Sequence, residues 1–342
     1  MDGLNIAPAT AAAAMSVRLF RRAEIVDAIW NDFVARSPQQ VVYGYSWYLD
    51  VVSPEWAALV ATNHNGQWVS VLPIPLRRKL GFEVVQQPLF CQFLGIFDLP
   101  NVATAASDLL ANLSRFFKYN AVYAGRFTHH TRWLSFFEVQ FCQNFLLPLH
   151  KPYQHIRSGY SPDRRANLKQ AEKFGWQIEE QSDIQPIINL FVKNHAAQIE
   201  GGVSSSAYSL LVRLYGVLQQ QKAAKLLYAL KDGQIEAGAL FVIDQHRIIY
   251  LFNAASALGR RQNARTLLID SIIRTYSHQD LWFDFESPQQ PSIAAFYQSF
   301  GSQAELYAQF RYNCLPFGLR QLQKCRLALL KIFNLSLSTS PK

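Results

Sequence analysis

The feature that most constrains this chain is an internal repeat. An apolar run at 58–62, the turn pair Asn65-Gly66 and an alternating stretch at 67–75 through Trp68, Val69, Val71, Leu72 and Ile74 predict a β-hairpin. The same pattern returns at 226–230, Asp232-Gly233 and 234–243, and in both copies the glycine is followed by Gln and an apolar residue. Further on, a helical pattern over 103–118 leads to the strand Ala121-Val122-Tyr123-Ala124, and one over 264–277 leads to Leu281-Trp282-Phe283-Asp284-Phe285. The offset from Gly66 to Gly233 nearly equals that from Asn120 to Asp280. Matching offsets predict one order, hairpin, strand, helix, strand, occurring twice in a chain of 342 residues, longer than a single core usually organises.

The junction is placed near 150, at Leu147-Pro148-Leu149-His150-Lys151-Pro152. This predicts a first domain over 15–150 and a second over 151–318, preceded by an Ala-rich disordered tail at 1–14. A basic amphipathic helix and tail at 319–342 would follow, with Leu322, Cys325, Leu329 and Ile332 on one face. The second half opens with a basic helix: Ser161 is the predicted N-cap, Pro162 the first helical residue and Gly175 the stop. Two further helical segments, 184–198 and 205–221, flank a turn at Glu200-Gly201-Gly202.

Composition closes off other classes. Hydrophobic types reach 50% and charged types 17%, which excludes a disordered chain or a coiled coil. The net charge of +9 favours anionic partners, among them phosphorylated cofactors, nucleic acid and an acidic membrane face. Cys91, Cys142, Cys314 and Cys325 lie far apart, and His129-His130 has no Cys or carboxylate at ligand spacing, so neither a disulfide framework nor a metal site is expected. No apolar stretch is long enough to span a bilayer, and the expected location is the cytoplasm, with peripheral membrane contact left open.

Helices, a hairpin, the strand Arg247-Ile248-Ile249-Tyr250-Leu251-Phe252-Asn253-Ala254, a loop, a helix and a strand together resemble the GNAT acyltransferase fold. With the duplication, the basic helix over 164–173 and the phrases Phe283-Asp284-Phe285-Glu286-Ser287 and Ala295-Phe296-Tyr297-Gln298-Ser299-Phe300-Gly301, the chain is similar to tandem-GNAT, Fem-type acyltransferases over residues 45–313. The resemblance implies an α/β chain of two GNAT-like domains, each a mixed sheet flanked by helices, with the active groove between them. It also implies transfer of an acyl or aminoacyl group from a thioester such as acyl-CoA, or from an aminoacyl-tRNA, to an amine in cell-wall or polysaccharide assembly.

Several residues are candidates for that chemistry. Gly259-Arg260-Arg261-Gln262-Asn263-Ala264-Arg265-Thr266 joins a strand to a helix N-terminus, where free N–H groups and the dipole favour an anion. Asn253, Arg260, Arg261, Asn263, Ala264 and Thr266 are therefore read as the donor site for a phosphorylated donor. The resemblance places a Gln/Arg-x-x-Gly-x-Gly/Ala pyrophosphate loop here, which this chain matches in part, since Asn263 or Ala264 replaces the first glycine. The alternative is a capped surface helix with solvated arginines.

Asp284 and Glu286 alternate with Phe283 and Phe285, so both carboxylates would share one face of a strand. Either is a candidate general base, and a structural pairing with an arginine such as Arg311 is the alternative. Tyr297 is a candidate phenolic acid or a core tyrosine. Arg164, Arg165 and Lys169 on the basic helix are read toward an anionic, amine-bearing acceptor or else as a solvated face; the resemblance puts this helix at the inter-domain groove. Trp47 and Tyr48 are candidate stacking surfaces or core. A rival function is a non-catalytic protein whose basic groove binds nucleic acid or a phosphorylated glycan.

Overall fold

The computed structural model describes residues 15–79, 81–100, 105–127, 133–199, 202–286 and 290–321. The expectations for the first fourteen residues, His129-His130, Glu200-Gly201 and the helix beyond residue 321 lie outside the described residues.

Local signals set the hairpins. In the first half β1 (Ser16–Arg21) pairs with β2 (Ala57–Thr62), which turns into β3 (Trp68–Ile74); in the second half a corresponding hairpin joins residues 224–231 to 234–243. The two turns differ. Asp232 and Gly233 both take positive φ, 50° and 76°, and Lys231 pairs directly with Gln234, a two-residue type I′ turn whose second position suits glycine. At the first hairpin Gly66 alone is positive, at 75°, because the Asn63 side chain accepts the N–H groups of Asn65 and Gln67 at 3.0 Å each and builds a longer loop.

The first half continues with a second hairpin, β4 (Leu76–Lys79) and β5 (Phe82–Gln86), the short strands β6 (Leu94–Gly95) and β7 (Phe97–Asp98), helix Ala106–Phe116, β8 (Tyr119–Arg126) and β9 (Glu138–Pro148). The second half contains helix Pro162–Phe174, β10 (Gln177–Glu180), helices Gln185–Asn194 and Ser205–Gln220, β11 (Ala224–Lys231), β12 (Gln234–Ile243), β13 (Arg247–Ala255), helix Ala264–Thr275, β14 (Trp282–Asp284), helix Pro291–Gln298 and β15 (Gln303–Asn313).

Pairing displays the repeat. β10, β11, β12 and β13 run antiparallel in order, and β13 is parallel to β14. β1, β2, β3 and β7 run antiparallel in order, and β6, separated from β7 only by Ile96, is parallel to β8. The first half thus breaks its fourth strand in two. The halves then trade their last strands: β9 lies between β14 and β15, and β15 lies between β9 and β8. Among the described residues an 11-stranded sheet results, with residues of both halves in its centre.

This sheet separates two cores. One gathers Trp30, Trp56, Tyr123 and Phe310 with Leu211, Tyr228, Leu240 and Ile249, so the halves share it. The other lies behind the second half and holds Phe241, Ile248, Leu268, Ile272, Phe283 and Phe285. Each such side chain contributes about 1.5–3 kcal/mol by leaving water. Helix Pro162–Phe174 is capped as expected: Ser161 Oγ accepts the Arg164 N–H at 3.1 Å, and Gly175 closes it at φ 76°. Its Leu168 and Ala171 belong to the second core and pack beside helix Ala264–Thr275, on the sheet face away from the core that the halves share. The expectation that this helix lines the groove between the halves is corrected by that packing.

Candidate active site

β13 and β14 pair only from Arg247/Trp282 to Ile249/Asp284, after which β13 runs on to Ala255 while β14 stops. At the point of divergence β13 is bulged: Phe241 pairs with Tyr250 and Leu240 with Phe252, leaving Leu251 as an extra residue. Beyond Asp284 the chain leaves the strand. The Phe285 N–H donates to the Phe145 carbonyl at 2.9 Å, and Glu286 takes a left-handed backbone at φ 63°. A wedge between two parallel strands therefore opens with Glu286 at its mouth.

The alternation predicts both carboxylates on one strand face, but only Asp284 lies on the strand, and the two do different things. Asp284 is 1% exposed; its Oδ2 accepts Arg247 Nη1 at 2.7 Å and its Oδ1 accepts the Glu286 N–H at 2.9 Å. Arg247 continues to Glu305 at 3.0 Å, and Glu305 also receives Asn144 Nδ2 at 3.4 Å and faces Arg126 at 3.7 Å. Burial, reinforced by the neighbouring Arg247, pushes the Arg126 guanidinium down to about 10. Asp284 is thus a buried ion-pair partner that shapes the turn at Glu286. Against the expectation of a general base, the structure shows the structural pairing that was its alternative: Asp284 is buried, with one oxygen on the Arg247 guanidinium and the other on a backbone N–H. The arginine it meets is Arg247, not Arg311.

Among the described residues no such cation bears on Glu286. Its carboxylate accepts the hydroxyl proton of Tyr43, a residue of the first half that is 1% exposed. Burial above all, with the nearby Asp284 adding to it and the Tyr43 hydrogen bond opposing it, raises the Glu286 carboxyl to about 8. Tyr43 itself is held well above the ordinary phenol range by burial and by Glu286. Tyr297 reaches the same neighbourhood from helix Pro291–Gln298, its ring 5.0 Å from Phe285, and burial followed by Tyr250 and Glu286 keeps its phenol protonated well past neutrality. The Tyr250 hydroxyl, on the first β13 residue past the pairing, is buried without a hydrogen-bond partner among the described residues.

The donor loop is more ordered than a simple strand-to-helix turn. A short helix, Ala257–Arg261, precedes the long one, capped by Ser256 Oγ accepting the Gly259 N–H at 3.0 Å. Gly259 packs so closely on the Glu236 carbonyl that a Cβ would sit 2.3 Å from its oxygen. Asn263 takes the left-handed backbone, φ 55°, that its residue type tolerates. Arg260 and Arg261 are exposed, with Arg260 Nη1 donating to the Ala255 carbonyl at 2.9 Å, and Asn253 Oδ1 accepts Arg265 Nη1 at 3.1 Å. Ala264 and Thr266 are buried, and the Thr266 hydroxyl accepts Arg164 Nη1 at 2.6 Å, so neither side chain is presented to a donor.

The remaining candidates divide. Arg164 is buried, donates to Ser299 Oγ at 2.9 Å and lies 4.2 Å over Phe296; it ties three helices together and does not face an acceptor. Arg165 turns back to the carbonyls of Ser158 and Tyr160, while Lys169 is exposed. Tyr48 is fully buried with its hydroxyl on the Phe90 carbonyl and is core. Trp47 is partly exposed and stacked on Tyr45 at 5.6 Å. Tyr43, Arg247 and Tyr250 were not singled out by sequence reasoning. For Arg247 an available signal was a charge opening an otherwise apolar strand.

The bulged strand, the wedge and the repeated pairing define a class. Residues 162–290 match the family described as the acetyltransferase (GNAT) domain, and the chain has a GNAT-superfamily, Fem-like fold of two tandem GNAT-like halves. Among solved structures it is similar to FemX, at 12% identity over 87% of this chain and 98% of that one, with a TM-score of 0.61. It is likewise similar to a conserved protein of unknown function from Bacteroides thetaiotaomicron VPI-5482, at 9% identity over 84% and 98% of the two chains and TM-score 0.56. A tandem GNAT protein from the clavulanic acid biosynthesis pathway covers 88% of this chain and 99% of its own at 10% identity and TM-score 0.50. At these identities the likeness is one of fold. No curated protein matches the chain in sequence.

Proposed function

We propose that the protein is an N-acyltransferase that moves an acyl or aminoacyl group from a phosphorylated donor, an acyl-CoA thioester or an aminoacyl-tRNA, to an amine on an anionic acceptor. The observation that carries this reading is Glu286: a carboxyl raised to about 8, at the mouth of the β13–β14 wedge, with a neutral hydrogen-bond donor instead of a cation beside it. In this reading Glu286 accepts the proton that the attacking amine loses as its nitrogen bonds to the donor carbonyl carbon. Tyr297 returns a proton to the leaving thiolate or ribose oxygen, so an amide and a thiol or hydroxyl are the products.

The donor reading is supported by exposed Arg260 and Arg261, the N-terminus of helix Ala264–Thr275 and the β13 edge from Tyr250 to Ala255, which no strand among the described residues pairs on the wedge side. The first-half counterpart, Asp98-Leu99-Pro100, carries an acid and no base, which supports a donor site in the second half.

The test is Glu286→Gln, assayed with acyl-CoA and with aminoacyl-tRNA against a panel of amines. Turnover should fall about 10²–10⁴-fold while donor affinity stays nearly unchanged, because proton transfer is lost and binding kept. Wild-type turnover in the variant would remove the carboxylate from the reaction and leave positioning as the source of rate.

A further inference from the structure

Glu286 belongs to the second half, yet the hydrogen bond on its carboxylate comes from the first. Tyr43 sits in the short helical turn Val42–Gly44, and its ring is fixed edge-on by Tyr48 at 5.3 Å and Phe93 at 5.9 Å. The backbone at Glu286 is fixed from the other side, by its own N–H on Asp284 and by Phe285 on the Phe145 carbonyl. The side chain is thus held at both ends, and its partner cannot swing away without opening the core. The titratable groups that bear on Glu286 are Tyr43, Tyr48 and Cys91 from the first half, Asp284 from β14 and Tyr297 from helix Pro291–Gln298. None is a cation, so the Tyr43 hydroxyl is the group in this set that favours the ionised carboxylate.

We propose that Tyr43 is a positioning residue of the active site, through which the first half orients Glu286 and sets the pH at which its proton is released. The effect on turnover rests on the reading of Glu286 as proton acceptor; the effect on titration does not. Losing a charge-assisted hydrogen bond should shift the midpoint upward by about 1–2 pH units.

The experiment follows the carboxyl carbon resonances of protein labelled with ¹³C-glutamate through a pH titration, with Glu286→Gln identifying the signal. Wild type should show a midpoint near 8, as burial sets it. Tyr43→Phe keeps the ring packing and should move the midpoint up. 3-Fluorotyrosine at position 43, a stronger donor of nearly the same shape, should move it down and keeps the proposal testable if Tyr43→Phe does not fold. In turnover, the deficit of Tyr43→Phe should be largest on the acid side and narrow as pH rises. An unmoved midpoint, or a deficit equal at every pH, overturns the proposal. If Glu286→Gln retains turnover while the midpoint still follows position 43, the proton-acceptor reading fails and the assignment of Tyr43 stands.

Discussion

A glutamate with φ 63° is an unusual choice, since a left-handed backbone costs a non-glycine residue on the order of 1–3 kcal/mol. Asp284 offsets that cost by capturing the Glu286 N–H, which explains why two carboxylates two residues apart end in different roles. The alternation with Phe283 and Phe285 predicts both acids on one side of a strand, whereas the strand ends at Asp284 and Glu286 follows in a left-handed turn. Their division of labour was not legible, because it is decided by Arg247 and Tyr43, whose proximity is a product of tertiary structure. The ionisation of Glu286 also has a thermodynamic sign. Its folded value, about 8, lies above its ordinary 4.5, so the stability tied to this group is fully present below pH 4.5 and is lost as pH rises through about 8. Glu286→Gln has nothing to ionise at this position. Urea unfolding at about pH 5 and about pH 8.5 should therefore show the variant gaining on wild type across that window, by roughly 2–5 kcal/mol. Parallel stabilities at both pH values would mean that the carboxyl ionises as freely in the folded chain as in the unfolded one. Asp244 and Asp270, also raised by burial, cancel in the difference.

At the level of elements, whatever is encoded by neighbours along the chain could be read in advance. The hairpins announce themselves through Asp232-Gly233 and Asn65-Gly66, and helix Pro162–Phe174 through its Ser161 cap and Gly175 stop. β9 and β15 have no such local signal: each lies between strands remote in sequence, and Glu138–Pro148 mixes polar and apolar residues because its first part, with Glu138, Gln140 and Gln143, is largely exposed while Asn144–Leu147 is buried. The basic helix shows the opposite failure. A stripe of charge is visible in sequence, but which side the helix turns to the sheet depends on Leu168 and Ala171, and they carry Arg164 inward with them. The donor loop yields its own prediction. Arg260→Ala combined with Arg261→Ala should weaken a phosphorylated donor by about 2–4 kcal/mol, two charge-assisted hydrogen bonds, with little change in melting temperature since both side chains are exposed. Calorimetric titration that finds unchanged affinity would exclude this loop as the donor site.

For the molecule as a whole, the repeat visible in sequence implies two parts, and the exchange of last strands binds those parts into one. β9 pairs with β14 and β15, both supplied by the second half, and the shared core draws on both. A fragment ending at residue 150 should consequently fail to fold as a soluble monomer, since an 11-residue strand would be left without the partners it has in the full chain. The intact chain should unfold in one transition. Trp30 and Trp56 report on the first half and Trp176 and Trp282 on the second, so variants retaining one pair at a time should give coincident midpoints by fluorescence and circular dichroism. Separated midpoints would show that the exchanged strands do not couple the halves. The position of β15 has a further consequence during synthesis. β8 reaches its β15 neighbour only after the ribosome has added the rest of the second half, which at about 5–20 residues per second delays closure of the early sheet by roughly 10–40 s. Through that interval the nascent chain carries an open strand edge, and holding it apart from other nascent chains becomes a task for the cell's chaperones.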